Sequence, residues 1–166
     1  MFLRSIDTKP APVGGSPTDA GLSLDFGLEG QVQGALNLFL TLKNPAQMGA
    51  LLGLLDEAQD TVHDALSSLH YVHFARFLPT RDCSTLMVIT AYDGDLESYI
   101  LDFVGVLGDQ FTAILQFVKD APPLPVQNYP REFIEFVLAN NLSKVGVWSA
   151  YPEATVIDIL RNTQWL

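Results

Sequence analysis

HYVHFARFLPTRDCSTLMVITAYDG, residues 70–94, carries the strongest secondary-structure pattern in this chain. Residues 70–79 and 85–92 alternate side chains with a period of two, which is typical of β-strands. The connection between them begins with Pro79 and is polar, as in the loop of a β-hairpin. Asp93-Gly94-Asp95 then favours a turn into a helix. The segment therefore predicts a strand, a loop, a second strand and the start of a helix.

The same patterns continue on both sides of the hairpin. Upstream, four leucines from Leu36 to Leu42 alternate with Asn37, Phe39 and Thr41, which predicts a half-buried strand. Asn44-Pro45 supplies an N-cap and a proline at the first helical position, and helical spacing continues to Leu69. The remaining predicted elements are a helix to about residue 118, a helix over 130–141, a strand over 144–150 and a helix from Pro152.

Two strand–helix–strand units in succession predict an α+β fold of the ferredoxin-like type. In this split βαβ arrangement the antiparallel sheet has the order 4-1-3-2, and both long helices cover one face. The domain is expected to span residues 31–166, with the helices over 130–141 and after Pro152 as additions. Residues 1–30 are rich in Pro and Gly and are predicted to form an extended arm. Leu22, Leu24, Phe26 and Leu28 alternate within this arm and are expected to add an edge strand or to cover a sheet face.

Composition limits the possible partners and the cellular location. The net charge is −10, so a nucleic acid or an anionic membrane surface is not expected as a partner. Cys83 is the only cysteine, which excludes an internal disulfide and a Cys-rich metal site. Asp, Gln or Gly interrupts every long apolar stretch before it reaches the length of a membrane span. These features predict a soluble, cytoplasmic protein.

Two helices cover only one face of a four-stranded sheet, so the other face must be hidden in another way. A second copy of the sheet would do this, and the predicted partner is therefore the chain itself, as a homodimer. In its element order the chain resembles the dimeric α+β barrel superfamily. The segments HFARF (73–77) and YDGDLESYILDF (92–103) also resemble segments of poorly characterised ferredoxin-like proteins, some of them close to haem peroxidases.

Strand alternation predicts which side chains lie on the uncovered face. Ala75 and Ala91 are small and are assigned to the helix side, which places Phe74, Arg76, Val88, Thr90 and Tyr92 on the other side. This mixture suits a small, mostly apolar ligand, although aromatic residues on a sheet face also serve as simple dimer or core filling. A guanidinium on such a face needs either a carboxylate partner or a ligand anion. The predicted ligand-binding residues are Asn37, Phe39, Phe74, Arg76, Thr90, Tyr92 and Trp148.

Whether the chain is an enzyme stays open at this point. His70 and His73 lie three residues apart on a predicted strand and would point to opposite faces, and His63 lies on an acidic helix, so no metal site is predicted. The alternative to a binding module is an oxidoreductase. The resemblance implies two forms of it: a haem enzyme, or a cofactor-free monooxygenase with Asn37, Arg76, Tyr92 and Trp148 around its substrate. Dye-decolourising peroxidases carry a Gly-x-x-Asp-Gly motif, of which only Asp93-Gly94 is present here.

Overall fold

The computed structural model describes residues 31–142 and 147–163, and these form an α+β domain. The predicted arm, residues 1–30, lies outside the described residues. Short 3-10 helices occur at Pro45–Gln47 and Val126–Asn128. The strands are β1 (Gln33–Thr41), β2 (Val72–Pro79) and β3 (Thr85–Asp93), and the helices are α1 (Met48–Glu57), α2 (Gln59–Leu69), α3 (Leu96–Leu115), α4 (Pro130–Asn140) and α5 (Val156–Thr163).

The sheet in the described residues has three antiparallel strands in the order β1-β3-β2. β3 is therefore central. It pairs with β1 from Gln33↔Asp93 to Thr41↔Thr85 without a register shift. β2 and β3 form the predicted hairpin, with one register shift between Val72 and Phe74. That shift is a β-bulge at His73, and it affects the candidate site described below.

The predicted fourth strand is not observed as a strand in the described part of the chain. Residues 147–150 have no strand structure, and residues 143–146 lie outside the described residues. Described residues on either side of 143–146 nevertheless contact β1 and the residues just before it. Asn141 forms an isolated antiparallel bridge with Leu38, and the Gln31 side chain donates to the carbonyl of Val147 at 2.9 Å. A second isolated antiparallel bridge joins Leu42, just beyond the end of β1, to Val118, so the described residues contact β1 and its end at separate points and form no fourth strand.

The helix predicted from Asn44 to Leu69 is divided into a 3-10 turn and two α-helices. Asn44 caps the turn as expected, since its side chain accepts a hydrogen bond from the Ala46 amide at 3.0 Å. The chain bends at Ala58, where ψ is close to zero, and α2 begins at the next residue. A bend at one residue leaves the spacing of the apolar residues nearly unchanged. The sequence pattern therefore gave no sign of the bend.

The core lies between the sheet and the helices α1, α3 and α4. The leucines of β1 alternate into it, and Leu38 and Leu40 are almost completely buried. Asp95 caps α3 by accepting a hydrogen bond from the Ser98 amide at 2.9 Å. By length and composition α3 could cross a membrane, but half of its most apolar stretch is buried inside the domain. This burial is the behaviour of a core helix in a globular domain.

Candidate functional site

The sheet face opposite the helices carries four of the predicted ligand-binding residues. Asn37 of β1 and Arg76 of β2 both lie opposite Ile89 in the strand register, one on each side of it. Phe39 and Phe74 lie on the same face, because strand residues two apart share a face. We define the open face as the side chains of Asn37, Phe39, Thr41, Phe74, Arg76, Leu78, Met87 and Ile89.

None of these eight side chains is fully buried in the single chain. Phe74, on the edge strand β2, is 56% exposed, and with its apolar neighbours it forms an exposed apolar patch on this face. Arg76 is exposed and makes no ion pair with any residue in the described ranges. The enclosed space expected around Arg76 is therefore not formed by the single chain. A second surface is needed to enclose it.

The prediction for β3 is wrong: Val88, Thr90 and Tyr92 lie on the helix-covered face. Val88 pairs with Leu38 and Thr90 with Leu36, so they share the face of the buried leucines. The Tyr92 ring stacks on Tyr99 of α3, with ring centroids 4.1 Å apart. The misassignment came from Ala91, whose small side chain was placed against the helices. Ala91 instead lies opposite Phe74 on the other face.

Trp148, unlike the other predicted site residues, does not lie in a strand. Its side chain is 76% exposed, and the surrounding segment has no strand structure. Asn37, Arg76, Tyr92 and Trp148 are the residue types expected around a monooxygenase substrate. The structure places Tyr92 in the core and the first two on the opposite face, so these side chains do not line one space in the single chain.

Sequence reasoning missed a cavity of about 380 Å³ between α2, the start of β2 and α5. Its walls are mostly apolar and include one face of α5. Three polar side chains, Ser67, His70 and His73, also line it. The apolar lining residues are Leu66, Val72, Val156, Ile159 and Leu160.

An Asp–His pair stands at the edge of this cavity. His73 Nε2 lies 2.8 Å from Asp93 Oδ1, and the two side chains are only 15% and 10% exposed. The second carboxylate oxygen of Asp93 accepts a hydrogen bond from the Val156 amide at 2.8 Å, at the start of α5. Asp93 therefore fixes the imidazole on one side and the position of α5 on the other. Asp93 belongs to the Asp-Gly pair on which the comparison with peroxidases rests. Both of its carboxylate oxygens are engaged in these two contacts.

The two histidines near β2 were expected on opposite faces, but they line the same cavity. His70 is not in the strand: it ends α2 with a left-handed backbone, φ 55°. His73 lies at the bulge, where alternation is interrupted. Bulges redirect side chains in this way and are common beside active sites. His63 is 78% exposed beside Asp64, as expected for a solvated helix face.

A second feature lies in the core, where two buried hydroxyls are unpaired. Thr90 is fully buried and Tyr99 is 2% exposed, and neither hydroxyl has a hydrogen-bond partner in the described residues. Burial raises the pKa of the Tyr99 hydroxyl, and the nearby Thr90 hydroxyl lowers it by a smaller amount. Their geometry does not make a hydrogen bond between them. The space beside them is about 10 Å³, the lower limit for one water molecule.

Comparisons with known proteins do not add a family to this picture. The chain matches no protein-family model, no curated protein and no solved structure. Among the described residues there is also no group of three or more His, Cys, Asp or Glu side chains placed to hold a metal ion. The candidate functions therefore rest on the open face and on the cavity beside His73.

Proposed function

We propose that this protein is a homodimeric, cytoplasmic binding module whose two copies pair through the open face. The single observation that carries the proposal is the exposed aromatic side chain of Phe74 on a mostly apolar sheet face. Burying a phenylalanine side chain completely is worth about 1.5–3 kcal/mol. Because slightly more than half of Phe74 is exposed, its burial supplies roughly half of that amount in each copy. Neighbouring apolar residues of the open face add to this gain.

The proposed fold is ferredoxin-like with the sheet order 4-1-3-2. The observed order β1-β3-β2 is the 1-3-2 part of it, because β1, β2 and β3 are also the first three strands along the chain. The fourth position would lie at the free edge of β1, where Asn141 and Val147 already make contacts. In this proposal the contacts of Asn141 and Val147 mark the position of the fourth strand beside β1.

Pairing of two open faces also gives Arg76 a role. A guanidinium at the edge of a buried apolar surface must be neutralised, either by a carboxylate of the partner or by a ligand. We propose a ligand, a small and mostly apolar molecule with an anionic group, held between the two sheets. Asn37 lies across Ile89 from Arg76 and adds an amide for hydrogen bonding. Phe39 and Phe74 supply the apolar walls.

Light scattering of the full chain tests the dimer. We expect a stable dimer for the unaltered protein and a monomer for Phe74→Asp, because a carboxylate would be buried at the interface. Leu101→Asp is the matched control, since Leu101 is 47% exposed on α3 and far from the open face. A monomer for the unaltered protein contradicts the proposal. A dimer that forms only after removal of residues 1–30 contradicts it too, because the arm would then be what covers the open face in the unaltered protein.

Titration with anilinonaphthalene sulfonate, an aromatic anion, tests the ligand. We expect the dimer to bind the dye and Arg76→Met to weaken binding about 10-fold or more, since hydrogen bonds to charged groups contribute about 1.5–3 kcal/mol. Arg131→Met is the control, because Arg131 is exposed on α4. Equal weakening in both variants, or none in Arg76→Met, contradicts a ligand site at Arg76. Light scattering of the Arg76→Met variant shows separately whether the dimer persists.

A further inference from the structure

The cavity beside His73 has the dimensions and lining of a small-molecule site. Ligand pockets in proteins commonly measure about 300–1,000 Å³ and are mostly apolar with a few polar groups. This cavity is about 380 Å³, and apolar side chains of α2, β2 and α5 form most of its wall. It is formed within one chain and lies away from the open face, so it does not depend on the dimer.

Hydrogen bonds fix which nitrogen of each cavity histidine carries the proton. His73 Nε2 faces the carboxylate of Asp93, an acceptor, so Nε2 is the donor. His70 Nδ1 lies 2.8 Å from the Ser68 carbonyl, which can only accept, so Nδ1 is the donor there. In each neutral imidazole the other nitrogen is then an acceptor. Neither acceptor, His73 Nδ1 nor His70 Nε2, has a partner in the described part of the chain.

The two histidines differ in how firmly they are held. His70 is exposed at the end of α2, whereas the His73 side chain is 15% exposed and tied to Asp93. Asp93 in turn also bonds the amide of Val156 and so fixes the α5 wall of the cavity. An imidazole whose orientation is set by a buried carboxylate is well suited to recognise a hydrogen-bond donor. His73 is therefore the principal polar contact of the cavity, and His70 a second one.

We propose that this cavity binds a small, mostly apolar molecule carrying a hydroxyl group, which donates a hydrogen bond to His73 Nδ1. The apolar residues of the wall would cover the body of the ligand, and the single donor group would orient it. A hydroxyl is preferred because both free histidine nitrogens are acceptors and because Ser67 is the only other polar side chain among the lining residues.

The probes are p-cresol and p-xylene, which have similar shapes and differ in a hydroxyl and a methyl group. Both are titrated into the full-length protein at constant pH and followed by two-dimensional NMR. We expect p-cresol to shift resonances of Leu66, Val72 and Ile159, and to bind about fivefold more tightly than p-xylene, as one hydrogen bond predicts. Equal affinity for the two probes, or no shifts at these residues, would overturn the proposal.

Two variants and a control separate the cavity from the hydrogen bond. His73→Ala should bind p-cresol only as tightly as p-xylene, while His63→Ala, which changes an exposed histidine, should behave like the unaltered protein. Because loss of the Asp93 partner could unfold His73→Ala, Ile159→Trp provides a second test that keeps the Asp–His pair and fills the cavity. This variant should lose binding of both probes. Full p-cresol binding by a folded Ile159→Trp variant would place the site elsewhere and refute the proposal.

Discussion

Replacing Thr90 by valine tests the description of the core in the most direct way. Thr90 is completely buried on the helix-covered face, and its hydroxyl has no hydrogen-bond partner among the described residues. Leaving a buried polar group unsatisfied costs about 1–3 kcal/mol. Valine has nearly the same shape and suits a β-strand, so Thr90→Val removes this cost without creating a cavity. We expect the free energy of unfolding to rise by about 1–2 kcal/mol.

Urea denaturation at a fixed protein concentration measures this change, because self-association would make stability depend on concentration. In thermal unfolding the same gain corresponds to roughly 2–8 °C for a chain of this length. Thr61→Val is the matched control. Thr61 is exposed on α2, and its change should stay within about 0.5 kcal/mol.

A loss of stability in Thr90→Val would refute the reasoning, because it would mean that the hydroxyl has a partner. Tyr99 is the nearest candidate for that partner, and Tyr99→Phe completes a double-mutant cycle with Thr90→Val. If the two hydroxyls bond each other, each single change should destabilise the protein and the second should cost little after the first. Unpaired hydroxyls predict instead two gains that are close to additive.

Three further outcomes follow from local features. Gly53→Ala should raise the free energy of unfolding, measured in urea, by about 0.5–1 kcal/mol, because a Cβ at this helical position meets nothing within 4 Å. Gly34→Ala should lower it, since the added Cβ would lie 2.8 Å from the Tyr92 ring. Burial, with a smaller effect of the Asp95 charge, raises the pKa of Tyr92 to about 12. The unfolded chain therefore loses this proton first, so stability should fall as the pH rises from 10 to 12, and less steeply in Tyr92→Phe. Deleting residues 1–20 should change stability less than also removing residues 21–30, and equal effects would contradict a covering role for Leu22 to Leu28.

The secondary structure could be predicted where one side of an element is buried. The leucines of β1 alternate because only one face meets the helices, and their pattern gave the strand to within a few residues. Asn44 and the Asp93-Gly94-Asp95 turn marked where helical structure begins: Asn44 caps the 3-10 turn that precedes α1, and Asp95 caps α3. Local hydrogen bonds of this kind are encoded within three residues, and the sequence alone is enough to find them.

Which β3 side chains face the helices could not be predicted in the same way, because both faces of this strand are apolar. Leu86 and Val88 face the core, and Met87 and Ile89 lie on the open face. Successive residues are therefore all apolar, and their order does not show which of them are buried. The choice then depended on Ala91 alone. A small side chain fits under a helix, but it fits equally well beside a large neighbour such as Phe74. Only the pairing register with β1 resolves this, and that register is a long-range property.

The pair formed by His73 and Asp93 shows why the cavity had no signal in the sequence. Asp93-Gly94-Asp95 predicts a turn into a helix, and in the structure Asp95 caps that helix. Asp93 is thereby free to bond a histidine twenty residues earlier and an amide sixty-three residues later. The first contact depends on a bulge, and the second on where α5 returns to the domain. A substitution of Asp93 should therefore disturb the imidazole and α5 together, while a substitution of Asp95 should disturb the start of α3 and leave the imidazole and α5 in place.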